Sequence, residues 1–256
     1  MDRPVTSVPL TPAERAVLDA KEAAAAALLV EIARDFAPAV FATSLGAEDM
    51  VITDLIWRTR AGITLFTLDT GRLPEETYRL IQECRHRYEY AIHLYAPEHT
   101  AVENHVAAHG PNAFYESIAL RKECCRIRKV EPLKRALTGK RAWITGLRRE
   151  QSATRQDVPL REWDGDHGLE KFSPLIDWTS DEVWGYIRRY DVPYNALHDQ
   201  GYPSIGCAPC TRAITVGEDI RAGRWWWENP ETRECGLHFD PAKTARANAP
   251  RKQGAQ

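Results

Sequence analysis

Six cysteines lie along the 256 residues, and four of them stand in two pairs. Cys124 and Cys125 are neighbours within K-E-C-C-R-I-R-K, Lys122 to Lys129, among four basic residues. A disulfide between neighbours closes a small strained ring, so mutual pairing is the least expected use of these thiols. Cys207 and Cys210 form the C-x-x-C of G-C-A-P-C, a spacing that chelates one metal centre or serves thiol–disulfide exchange. Together the pairs supply four soft thiolates. Successive residues of a helix project about 100° apart. Adjacent thiols therefore reach two atoms of a cluster more readily than two corners of one tetrahedral zinc ion. Zinc ribbons space both of their pairs. An iron–sulfur cluster with four cysteine ligands is the favoured reading, zinc the alternative, and four unconnected buried thiols the bland one.

A second set of residues suits an anion. S-L-G-A-E-D, Ser44 to Asp49, joins an apolar run to a helical one. A hydroxyl, a glycine and helix-start N–H groups favour phosphate or sulfate, against the plainer role of a helix cap formed by Ser44 or Glu48. L-D-T-G-R-L-P-E-E-T, Leu68 to Thr77, turns off another apolar run at Thr70 and Gly71. By itself this is an ordinary strand-to-helix turn. Arg148, Arg149 and Arg155 follow in G-L-R-R-E-Q-S-A-T-R, and Arg221 and Arg224 in R-A-G-R-W. Any one arginine is by default a solvated surface group. Their guanidinium forks match phosphate and sulfate geometry, and several of them beside two anion loops point to an anionic ligand.

The elements that must position these groups alternate. Helical patterns run over 12–34, 49–60 and 74–88, the last with Pro74 at its first position and acids in its first turn. Apolar runs at 40–43, 63–68, 91–95, 141–145 and 169–172 read as strands. This alternation predicts an α/β fold, a mainly parallel sheet with helices on both faces. In such a sheet ligands sit beyond the carboxyl ends of the strands, where the unusual loops fall. Thr179 to Glu182 starts a further helix whose face carries Val183, Trp184 and Ile187, beside Trp178, as core or interface residues. Trp225 to Trp227 read as packing residues. His86, His93, His99, His105 and His109 have no ligand spacing with the cysteines.

Composition sets the class. The chain is 43% hydrophobic and 27% charged with a net charge of −2. That is ordinary for a globular protein and argues against nucleic-acid binding driven by an overall field. The run Ala23 to Ala27 is short and flanked by Glu22 and Glu31, which reads as an ordinary helix and not a signal core. No apolar run is long enough for a transmembrane helix. A cytoplasmic location follows as the expectation, with free thiols kept reduced for metal or catalysis. One domain is expected over 1–240, its core about 36–212 and a C-terminal segment about 213–240, followed by a disordered tail at 241–256.

The ordered set S-L-G-A-E-D, L-D-T-G-R-L-P-E-E-T-Y, C-C-R-I-R-K-V-E-P-L, G-L-R-R-E-Q-S, G-C-A-P-C and E-C-G-L-H resembles the assimilatory adenylyl-sulfate (APS) reductases. It spans roughly residues 40 to 240; each motif is weak alone, and the ordered set is highly specific. The resemblance implies an adenine-nucleotide hydrolase-like (Rossmann-like) fold and a [4Fe-4S] cluster on Cys124, Cys125, Cys207 and Cys210. It implies reduction of APS to sulfite and AMP by reduced thioredoxin, or glutaredoxin, within sulfate assimilation and cysteine biosynthesis. It also implies nucleotide contacts from Ser44, Gly46, Asp49, Leu68, Thr70, Gly71, Arg72, Gly146 and Arg148. Lys129, Arg155, Arg221, Arg224 and His238 would address the phosphosulfate.

The chemistry asks for a soft nucleophile at sulfur and a good leaving group, which a thiolate and AMP supply. Cys84, in Q-E-C-R-H-R-Y, lies in a helical pattern and reads as a core thiol. Cys235, in R-E-C-G-L-H, is the candidate nucleophile, with Arg233 and His238 placed to lower its pKa. No resolving cysteine stands beside it, so an external dithiol must expel sulfite. Three alternatives share parts of the pattern. A 3′-phosphoadenylyl-sulfate (PAPS) reductase typically lacks the two cysteine pairs. An iron–sulfur tRNA thiolase needs a Ser-Gly-Gly loop, which Ser44-Leu-Gly is not. A zinc-stabilised nucleic-acid module, with 121–135 as its basic footprint, leaves E-C-G-L-H unexplained.

Overall fold

The computed structural model describes residues 11–151 and 155–229. The first helix, α1 (Pro12–Asp35), starts where its signals lie: Thr11 accepts from the Glu14 backbone N–H while the Glu14 carboxylate bonds back, with Pro12 in the first turn. Next come β1 (Ala39–Ala42), α2 (Ala47–Thr59), β2 (Thr64–Leu68), α3 (Glu75–Tyr88), β3 (Ile92–Tyr95) and α4 (His99–His109). Pro74 is the extended cap preceding α3 and not its first helical residue. The cysteine pair ends α5 (Ile118–Cys125), a π-helical stretch covers Arg126–Val130, and α6 (Glu131–Leu137) follows without a break. The remaining regular elements are β4 (Ala142–Ile144), β5 (Arg161–Asp164), β6 (Leu169–Phe172) and α7 (Ser180–Arg189), which opens with a Thr179–Glu182 capping box.

The six strands are ordered β3-β2-β1-β4-β6-β5. All neighbours are parallel except β5, an antiparallel edge strand that the sequence pattern does not announce. Its alternation, Arg161-Glu-Trp-Asp164, is polar because one edge and one face meet water. In the register Phe41 lies opposite Leu65 and Ile144. These three share a core with Phe172 and with Leu29, Met50 and Ile187 from α1, α2 and α7. Their chain neighbours Val40, Phe66 and Trp143 point the other way and pack with Leu133, Ala136 and Leu137 of α6. Period-two alternation thus loads both faces of one sheet. Cys84 lies in the first core, its Sγ 3.9 Å from Met50 Sδ, and burial pushes its thiol up to about 12. It is a packing group, as expected.

Candidate active site

The loops after β1, β2 and β4 leave the sheet at the same end and line a cavity of about 560 Å³. Its floor is built first by backbone. Thr43 N–H bonds Phe66 O at 2.8 Å, Asp69 N–H bonds Tyr95 O at 3.1 Å, and Thr145 N–H bonds Phe172 O at 2.9 Å. Each prolongs the ladder past the strand end before the loop turns away. Leu45 then takes a left-handed φ of 62°, with Thr43 Oγ1 accepting its N–H at 3.0 Å. No side chain caps α2 at Gly46, so the cap expected of Ser44 or Glu48 does not form. Ser44 instead donates its N–H and its Oγ–H, the latter at 2.7 Å, to Asp49 Oδ2. The helix start is left facing the cavity, in the arrangement that favours an anion.

Asp49 is buried, and desolvation raises its carboxyl to about 7 against the opposing bonds from Ser44 and the Gly146 backbone. Gly146 has no room for a side chain: a Cβ there would stand 1.9 Å from Asp49 Oδ1. Arg148 lines the same wall, but its guanidinium is engaged by Glu48 at 2.8 Å, Glu150 at 2.6 Å and the Trp178 carbonyl at 3.2 Å. It braces the loop and holds Glu48. Arg155 bonds Gln151 at the rim, and Arg221 and Arg224 line the opposite wall. Leu68 and Thr70 also border the cavity, whereas Gly71 and Arg72 do not. Arg72 bonds Pro111 O and lies 5.1 Å over the Phe114 ring, turned to the cysteine side. Trp184 and His198 border the cavity too, their rings 5.3 Å apart. His198 is buried, and desolvation lowers its pKa. The sequence carries no pattern around His198 that marks it.

Behind this cavity lies a second, small one whose lining includes Cys124, Cys125, Cys207 and Cys210. The two pairs, more than 80 residues apart in sequence, are brought together by four contacts. Arg128 donates to Thr70 O at 2.6 Å, Ala208 N–H bonds Arg72 O at 2.8 Å, and Tyr115 Oη–H donates to Pro209 O at 2.7 Å. Thr70 Oγ1 lies 3.3 Å from Cys207 Sγ. None of the four is joined to another described cysteine by a disulfide. Among the described residues no three His, Cys, Asp or Glu side chains gather around a single-ion site. The donor set is soft, four thiols lining one small cavity, and of the kind that holds thiophilic metals and iron–sulfur groups.

The π-helical stretch carries Lys129, which lines both cavities, as Cys207 does. Such one-turn widenings are frequent at functional sites. Burial would raise the Cys207 thiol, but Lys129, the Thr70 hydroxyl, Arg224 and Arg128 outweigh it and lower its pKa. Burial, with the charge of Cys207, pushes Cys210 up to about 12. Burial also raises the Cys124 thiol, so of these three the cations tip Cys207 alone toward its thiolate. Cys235 and His238 lie outside the described residues, as does the expected tail at 241–256.

Comparison with known proteins agrees with this geometry. Residues 38–213 match the family model described as the phosphoadenosine phosphosulfate reductase domain. The adenosine 5′-phosphosulfate reductase of Allochromatium vinosum is 61% identical over 221 residues, 86% of each chain. That of Burkholderia cepacia is 52% identical over 244 residues, 95% of this chain and 96% of its own. Among solved structures, a phosphoadenylyl-sulfate (PAPS) reductase from Candida auris in a phosphate complex superposes with a TM-score of 0.64 at 28% identity, covering 81% of this chain and 100% of that one. An FMN adenylyltransferase of Candida glabrata, at 13% identity and a TM-score of 0.55 over 92% of this chain and 83% of its own, shares the fold alone. The chain belongs to the family of adenosine 5′-phosphosulfate and phosphoadenosine phosphosulfate reductases.

Proposed function

We propose that this enzyme reduces adenosine 5′-phosphosulfate to sulfite and AMP, with Cys235 as nucleophile and reduced thioredoxin, or glutaredoxin, as electron donor. The observation that carries the reading is the junction of two cavities. One is roomy enough for a nucleotide, the other is caged by four thiols, and Lys129 and Cys207 line both. The A. vinosum relative at 61% identity bears the name of this activity.

The nucleotide sits over the β1, β2 and β4 loops with its phosphate toward the α2 start. Its sulfate end meets Lys129, Arg221 and Arg224, with Arg155 and His238 adding to the anion contacts. The Cys235 thiolate attacks the sulfur, the sulfur–oxygen bond to phosphate breaks, and AMP leaves with the electron pair. Cys235 then carries an S-sulfonate. One thiolate of the donor attacks Cys235 Sγ and expels sulfite; its second thiol resolves the mixed disulfide, so the dithiol supplies both electrons. Cys124, Cys125, Cys207 and Cys210 would hold a [4Fe-4S] cluster, which fits their soft donor set. When bound it supplies a compact charge that fixes the cage behind Lys129. Among the described residues no helix is long and apolar enough to cross a membrane. Free thiols and a thioredoxin-type donor support a cytoplasmic setting. Nucleic acid has no part in this scheme.

The test is a single turnover by anaerobically prepared protein without reductant. APS should release one AMP per active site and leave Cys235 heavier by a sulfonate, and thioredoxin should then free sulfite. PAPS, in a parallel arm, should react much more slowly. A preference for PAPS, or the added mass on Cys84, overturns the reading.

A further inference from the structure

Three aromatic residues near the cysteine cage line neither cavity: Tyr115, Trp226 and Trp227. The Tyr115 ring lies 4.5 Å from Trp227 and 6.3 Å from Trp226, and the two tryptophans meet edge to face at 4.8 Å. Buried Phe114 supports the group, 4.4 Å from Tyr115 and 6.1 Å from Trp227. Yet Trp226 keeps 36% of its surface exposed and Tyr115 keeps 43%. Rigid aromatic groups held in water are the side chains that protein interfaces use as anchors.

The position of the patch relative to the nucleophile is bounded by chain length. Trp225 N–H bonds Cys210 O at 3.2 Å, and the Trp225 ring lies between the Arg121 and Arg224 guanidinium groups at 4.9 and 4.8 Å. Glu228 is locked to Arg121 by paired bonds of 2.7 and 2.8 Å, with both side chains buried. The stretch 225–228 is therefore fixed against α5 and the C-x-x-C loop. Cys235 follows Asn229 by six residues, which span at most about 20 Å even when fully extended. A protein that reaches Cys235 must cover ground within that radius, and the aromatic patch is at its anchored centre.

We propose that Tyr115, Trp226 and Trp227 form the docking surface for the protein dithiol that regenerates Cys235. The partner lays the apolar rim of its own thiol site on the rings. Its thiolate then attacks Cys235 Sγ, the bond to the sulfonate sulfur breaks and sulfite leaves. This inference rests on the proposed function above, and its test uses only the second half of the reaction.

Trp226→Ser is compared with the wild-type chain in three assays: AMP release from APS without reductant, sulfite release by dithiothreitol, and sulfite release by reduced thioredoxin. The KM for thioredoxin should rise about tenfold, the scale of losing an interface anchor. The other two rates should stay within about twofold, and Trp226→Phe should recover most of the thioredoxin response. Equal loss with both reductants would make the tryptophan a packing residue and overturn the proposal. So would an unchanged thioredoxin KM, or slowed AMP release, which would mean that the chain's own 230–240 segment uses the patch. Failure of the functional reading is separable, because it appears as a wild-type chain that releases no AMP.

Discussion

The two cavities differ in the way they are made. The larger is lined by loops at strand ends, with a helix start, an arginine-rich rim and an open mouth bordered by Val216 and Ile220. Its polar groups are mostly committed to one another: Ser44 to Asp49, Glu48 to Arg148, Arg155 to Gln151. This pre-organises a surface that a ligand can enter and leave without large rearrangement. The smaller is a junction of distant segments with thiols on its walls and cations behind them. Burial favours the neutral form at Cys124 and Cys210, whereas Lys129, Arg224 and Arg128 overcome it at Cys207, the thiol that borders both cavities. The first suits the turnover proposed above, and the second the proposed resident cluster.

Removing a cage thiol should separate the two most strongly. Cys124→Ser is expected to lose iron and sulfide, about four of each per chain in the parent, together with all turnover. AMP should still bind, since no cage thiol but Cys207 lines the nucleotide cavity. Iron analysis and calorimetric AMP titration decide it; loss of AMP binding would show that the cavities are one structural unit. Lys129→Ala acts at the junction. Removing a cation aimed at developing charge should lower kcat about 10²- to 10³-fold while AMP affinity changes less than about threefold. Equal losses in both would place Lys129 on the nucleotide and not on its sulfate.

Smaller effects belong to the nucleotide side alone. Gly146→Ala forces its new methyl against Asp49, and overpacking of this kind costs about 1–3 kcal/mol. Thermal unfolding should register that loss and AMP binding should weaken, with iron content unchanged. The mildest test is pH. The Asp49 carboxyl rises from 3.8 to about 7 on folding, chiefly through desolvation. Between those values the folded chain holds a proton that the unfolded chain has released, so this group makes stability fall as pH rises through that window and stay level above it. Asp49→Asn should remove that part of the slope in denaturant titrations; an unchanged slope would show that the carboxyl is ionised in the folded state.

Much of this was legible from residue order. Thr11-x-x-Glu14 and Thr179-x-x-Glu182 mark two helix starts because a capping box is closed by residues three apart. The apolar runs at 40–43 and 63–68 mark strands, and the paired cysteines announce soft-ligand chemistry by spacing alone. The edge strand β5 escaped because a solvated edge needs no apolar alternation. Helical periodicity puts Trp184 at the core or an interface, without telling which; the side chain is half-buried and borders the larger cavity. Among the arginines, side-chain type could not tell a ligand from a brace. Arg148 is committed to Glu48, 100 residues away, and Arg72 faces the cysteine side.

Local hydrogen bonding and side-chain periodicity act over a few residues, so sequence by itself determined the parallel strands, the helices with marked starts and the cysteine pairs. Only the packed sheet decided that Thr70 meets Cys207 across 137 positions and that Lys129 stands between two cavities. Contacts at such separations exist only once strand register and the π-helical turn have set the directions of the loops that make them.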